Sequence, residues 1–118
     1  FYRMHGGELF VPKIPSIRVV DLAKAMAPEI PQKIIGIRPG EKLHEVMCPA
    51  DDFHLTLEFS DHFVLKPTIL FSKLFDFAIN KLNEEGRPVE YGFEYSSEKN
   101  KNFLDLKEII AFNSSAGF

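Results

Sequence analysis

Prolines at positions 12, 15, 28, 39 and 49 set the limits on what this chain can form. Proline fixes φ, lacks an N–H and restricts the residue before it, so each of these positions ends or blocks an element. No long helix or long strand fits between them. The first fifty residues therefore read as short pieces in quick alternation. Residues 8–11, Glu-Leu-Phe-Val, form an apolar strand that stops at Pro12. Lys13-Ile14-Pro15 is a stiff loop. Ser16 is placed to cap a helix over 17–27, ended by Pro28, whose Val19, Leu22, Ala23 and Met26 share one face expected to be buried. Residues 33–37 read as a second strand, Arg38-Pro39-Gly40 as a turn, and 41–47 as a short helix opened by an acid. Strand, helix, strand, turn and helix in this order is α/β grammar.

Beyond Pro49 the pattern changes. Leu55, Leu57 and Phe59 alternate, as do Phe63 and Leu65, with Ser60-Asp61-His62 between them, which predicts a β-hairpin. The spacing of Leu74, Ala78 and Leu82 predicts a helix over 74–85, with Gly86 as its C′ residue. Val89, Tyr91, Phe93 and Tyr95 alternate like a strand. Asp105 and Glu108 have the spacing of a capping box that opens a last helix carrying Leu106, Ile109 and Ile110. The terminal residues 113–118 read as frayed.

Charge narrows the function classes. The net charge is −3 over 118 residues, which leaves no basic footprint for nucleic acid. Residues 1–50 carry seven Lys/Arg against five Asp/Glu, and residues 51–118 carry seven against twelve. Anion-binding chemistry therefore belongs to the first half. Cys48 is the single cysteine, so there is no disulfide framework or cysteine-based zinc site, and a reducing, cytoplasmic setting fits. No apolar run approaches a membrane span. The opening Phe1-Tyr2-Arg3-Met4 lacks the character of a domain start and suggests truncation.

The strongest candidate for binding chemistry is Arg38-Pro39-Gly40-Glu41, directly after a predicted strand. Open α/β sheets bind ligands at the C-terminal ends of strands. Proline and glycine fix a turn that presents Arg38, whose planar fork suits phosphate oxygens. Glu41 is placed to accept hydrogen bonds from vicinal hydroxyls such as those of a ribose. The competing reading is a charged helix N-terminus with Arg38 paired to Glu41 or Glu45. Lys13, between its prolines, is a second anion contact or a solvated loop lysine. His5, His44, His54 and His62 show no metal-ligand pairing. Gly6-Gly7 lacks the spacing of a dinucleotide fingerprint, and no Tyr-x-x-x-Lys pair is present.

Together these segments are similar to a known family. Gly6-Gly7-Glu8-Leu9-Phe10-Val11-Pro12-Lys13-Ile14-Pro15-Ser16, the run from Ile34-Ile35-Gly36-Ile37-Arg38-Pro39-Gly40-Glu41 through Met47, and Phe93-Glu94-Tyr95-Ser96-Ser97 with Asn100 and Leu104 follow in the family's order. They resemble the inverting UDP-N-acetylglucosamine 4,6-dehydratases, which are extended short-chain dehydrogenase/reductases. The Pro-Lys-Ile-Pro-Ser loop and the Tyr-Ser-Ser tail set them apart from the membrane-attached retaining dehydratases of polysaccharide biosynthesis, the nearest enzyme alternative.

The resemblance implies an α/β fold, the C-terminal substrate-binding part of an extended short-chain dehydrogenase/reductase with its Rossmann part absent. In it, residues 1–50 would carry the nucleotide-sugar contacts, and 51–118 the hairpin and helices of the same lobe. It implies a reaction in which NADP oxidises C4 of UDP-N-acetylglucosamine, water leaves across C5–C6, and hydride returns at C6 with inversion at C5, in pseudaminic acid and surface-glycan synthesis such as flagellin glycosylation. The cofactor loop and the catalytic acid, lysine and tyrosine would lie outside this chain. What carries over is Arg38 on the diphosphate and ribose and Glu41 on the ribose hydroxyls, with Lys13 and Phe10 lining the same region. The expected partners are a UDP-sugar and further copies of the same chain, with neither nucleic acid nor membrane. The isolated chain is expected to be inactive and to need no cofactor of its own; the alternative is a stand-alone, non-catalytic binding or assembly module.

Overall fold

The computed structural model describes residues 2–68 and 76–117. They form two compact units, one of Phe1–Lys13 with Val46–Lys99, the other of Ile14–Glu45 with Asn100–Phe118. The grouping is discontinuous in sequence.

The first unit is built on short antiparallel strands. They are β1 (Leu9–Pro12), β2 (Val46–Cys48), β3 (Thr56–Glu58), β4 (His62–Leu65), β5 (Arg87–Pro88) and β6 (Tyr95–Ser96). A four-stranded sheet has the order β1-β4-β3-β5, and β2 pairs with β6 separately. The predicted hairpin is β3–β4, with Leu57 opposite Val64 and Glu58 opposite Phe63. The turn closes where the Phe59 N–H donates to the His62 carbonyl at 2.9 Å. Successive residues of a strand face opposite sides. Val64 therefore joins Leu57, Phe59 and Phe77 in one buried cluster, while Phe63 joins Val11 and Cys48 in the other. Both faces of this small sheet are covered, which explains why its strands are more apolar than a half-exposed hairpin requires.

His62 lies at the start of β4, only 2% exposed. Its ring is stacked between Phe10 and Phe59, with centroids 4.6 Å away on each side. Nδ1 contacts Asp61 Oδ1 at 2.5 Å, and Nε2 is buried with no hydrogen-bond partner among the described residues. Arg3 joins the same corner, its Nη1 lying 3.0 Å from Asp61 Oδ2 and 3.4 Å from Glu84 Oε1. The buried Glu8 carboxylate accepts from the N–H groups of His5 and Gly6, at 2.5 and 2.9 Å, and so fixes the approach to β1.

Three expectations are corrected here. Residues 76–85 are not helical, and the start of the predicted 74–85 helix lies outside the described residues. Asn80 is the reason. Its side-chain oxygen accepts from the N–H groups of Leu82 and Glu84, offering the backbone a local alternative to the helix. Gly86 is accordingly not a helix terminus; it lies against the ring of Phe59. The strand predicted through 89–95 is not formed: β5 ends at Pro88, the chain turns at Gly92 with φ +73°, and only Tyr95 of that range enters a strand, β6. Finally, 41–47 forms no helix, because Val46–Cys48 is taken up as β2 against β6.

The second unit packs two helices, α1 (Val19–Met26) and α2 (Leu106–Ser115), against each other. The capping box is present as read: the Glu108 N–H donates to Asp105 Oδ1 at 2.8 Å, and the Asp105 N–H to Glu108 Oε1 at 3.3 Å. Helix α2 runs through Ser115, beyond where fraying was expected. Ser16 does not cap α1. Arg18 holds the N-cap position without a side-chain bond, while Ser16 bridges to Phe103 and its hydroxyl accepts from Asn100 Nδ2 at 2.8 Å. The face of α1 expected to be buried is mostly open, with Val19 and Met26 exposed. Residues 33–37 form no strand. Gly36 has φ +87°, outside the β region, and Ile34 is 89% exposed.

Candidate functional site

The turn at Arg38–Glu41 is as the sequence dictates. The Glu41 N–H donates to the Arg38 carbonyl at 3.1 Å, closing a four-residue turn. Proline at the second position supplies φ near −65°, and Gly40 at the third takes φ +82°, the combination a type II turn needs. The Glu41 carboxylate folds back over the turn, with Oε2 accepting from the Arg38 N–H at 3.0 Å and Oε1 lying 3.9 Å from Arg38 Nε. The pairing half of the competing reading is thus present, although no helix begins here.

The chemistry of this pair follows from exposure. The Arg38 side chain is 72% exposed and that of Glu41 50%. An ion pair this wet and this long is worth about 0–1 kcal/mol. It orients the guanidinium at little cost to any anion that replaces the carboxylate. The contact with Glu41 is made through Nε, and the terminal nitrogens of a guanidinium form the fork that suits phosphate oxygens.

Lys13 and Phe10 belong to the other unit and have different surroundings. Lys13 Nζ lies 3.2 Å from Glu58 Oε1 and 5.0 Å from the centre of the Phe63 ring. It is an exposed loop lysine that makes both of these contacts. Each of the two contacts is worth up to about 1 kcal/mol, and a ligand would have to compete with both. Phe10 is half-buried and stacked on His62, so its ring is committed to packing. Within their own units the structure joins Arg38 to Glu41 and Lys13 to Glu58. Glu58 carries no local signal; only strand pairing brings it to Lys13.

Gly6 and Gly7 both have positive φ, +115° and +88°, yet they lead into strand β1 and not into a helix N-terminus. A dinucleotide phosphate site needs the helix, so these residues do not fit a nicotinamide cofactor. Cys48 is fully buried, and burial with Asp52 nearby pushes its thiol up to about 11, which removes it as a nucleophile. Among the described residues no three His, Cys, Asp or Glu side chains gather to hold a metal ion. No helix among them is long and apolar enough to cross a membrane.

Comparison with known proteins fixes the class first. The X-ray structure of Pen from Bacillus thuringiensis matches with a TM-score of 0.68, covering 94% of this chain and 32% of that one at 23% identity. The shared fold is mixed α/β with short strands and helices. The family model described as "Polysaccharide biosynthesis protein" matches residues 1–67, more than half of the chain, and the chain belongs to that family.

Within it, two proteins named UDP-N-acetylglucosamine 4,6-dehydratase (inverting), from Campylobacter jejuni serotypes O:2 and O:23/36, are 52% and 50% identical over the whole chain. A membrane protein of Methanocaldococcus jannaschii is 36% identical over 77 residues, 56% of this chain and 23% of that protein. The chain spans 36% of the length of the two dehydratases.

Proposed function

We propose that this chain supplies the substrate-binding portion of a UDP-N-acetylglucosamine 4,6-dehydratase of the inverting type. The observation that carries the reading is the Arg38–Glu41 turn, in a chain about half identical from end to end to two such dehydratases. Arg38 would take the diphosphate through its terminal nitrogens. Glu41, released from its weak hold on Nε, would accept from the ribose hydroxyls. Lys13 and Phe10 are the lesser candidates, since each has a partner to leave first.

The catalytic step is a redox-assisted elimination, and a nicotinamide cofactor, NADP in this reading, would supply the hydride chemistry. Among the described residues Gly6-Gly7 lacks the helix that a dinucleotide phosphate site needs, so binding and orienting the nucleotide is the role assigned to these residues. The product would enter surface-glycan synthesis, with pseudaminic acid and flagellin glycosylation as its outlet, in the cytoplasm and in a homo-oligomer.

Titration of the chain with UDP, followed by amide chemical shifts, tests the reading. Shifts should centre on residues 38–41, and Arg38→Ala should weaken binding about tenfold, as expected for loss of a charge-assisted contact. Equal affinity in the variant would remove Arg38 from the site.

A further inference from the structure

A groove on the first unit has no place in that reading. It encloses about 350 Å³ and is lined by Glu58, Arg87, Pro88, Val89, Glu90 and Phe93. That volume lies at the small end of ligand pockets, which combine an apolar wall with a few polar groups. The walls are held in place from several directions. Glu58 stands opposite Arg87 in the β3–β5 register, at an edge of the sheet. Phe93 packs on Phe63, with centroids 5.1 Å apart. The turn at Gly92 ties the Phe93 N–H to the Glu90 carbonyl at 3.1 Å, which sets Glu90 beside the ring.

The charges select the ligand. Glu58 is already paired with Lys13 at 3.2 Å, so the lining offers one further carboxylate, Glu90, and one guanidinium, with no net charge to favour an anion or a cation. Arg87, without an ion pair among the described residues, stands against an organic cation. What remains is a neutral molecule with adjacent hydroxyls on one side and a C–H face on the other. Carboxylates accept from vicinal hydroxyls, a guanidinium donates to ring or hydroxyl oxygens, and Pro88, Val89 and Phe93 cover the apolar face. The geometry points to a binding site for a neutral sugar ring, carried by Arg87, Glu90 and Phe93 and separate from the Arg38 turn. It shares the sugar class of the proposed function and uses none of its residues.

The probe is N-acetylglucosamine as the free monosaccharide, titrated into the full chain and read by amide shifts. Saturable shifts at residues 87–93, with a roughly millimolar dissociation constant, are expected. Phe93→Ala would disturb the packing on Phe63, so the variants are the exposed Arg87→Ala and Glu90→Gln, each expected to weaken binding about fivefold. Absent or unsaturable shifts, equal shifts with glycerol, or unchanged affinity in both variants would overturn the proposal. A parallel UDP titration is read at residues 38–41 and the monosaccharide titration at residues 87–93, so either site can fail without the other.

Discussion

Gly86 lies so close to Phe59 that a Cβ built on it would sit 2.5 Å from Cε2 and 2.6 Å from Cζ of the ring. Phe59 is itself buried and stacked on His62, so the ring has little room to retreat. Gly86→Ala should therefore cost about 1–3 kcal/mol, the range for overpacking, as measured by urea unfolding. The neighbouring Asp61 sets a pH dependence. The hydrogen bond from His62, and then the guanidinium of Arg3, hold its carboxyl below the usual value of 3.8. A carboxyl depressed in the folded state adds stability that is present above its unfolded value and lost as pH falls through the folded one. Stability should fall with acid below about pH 4, and Asp61→Asn should flatten that limb in urea titrations at stepped pH. At this scale the Arg38–Glu41 turn was legible, because proline and glycine dictate their own backbone. The partners of Lys13 and Phe10 were not, because Glu58 and His62 reach them only through strand pairing.

Among the elements, α2 and the β3–β4 hairpin were readable because their signals are local. A capping box closes over four residues, and a two-strand alternation carries its own turn. Asp105→Ala should lower stability by about 1 kcal/mol and loosen the first turn of α2, seen as faster amide exchange at Glu108. Misread elements share another cause. Residues 33–37 have the branched side chains of a strand, yet a ladder needs a neighbour and Gly36 turns the backbone away. Residues 41–47 have a helical opening, but Val46–Cys48 pairs with Tyr95–Ser96, some fifty positions along. Asn80 overrides the Ala78 and Leu82 spacing by bonding to its own backbone. A missing neighbour, a non-local partner and a single polar side chain outweighed periodicity in turn.

The two units differ in how much each can bury. The first has two clusters on opposite sheet faces, while the second has Ile109 as its one buried side chain among the described residues. Stability within a molecule follows such differences. Hydrogen exchange should be slowest at Leu57 and Val64 and near the unfolded rate over much of residues 31–45; strong protection of 31–45 would contradict the assignment. The interleaving of the units has a consequence for biosynthesis. Residues 46–99 are made between the two segments of the second unit, so α1 has no α2 to meet until the chain has grown past Leu106. At ribosomal rates of about 5–20 residues per second, α1 waits roughly 4–16 s for α2 after it is itself complete. That interval is long beside the time a helix takes to form, and it makes the nascent chain, more than the finished one, the natural client for a chaperone.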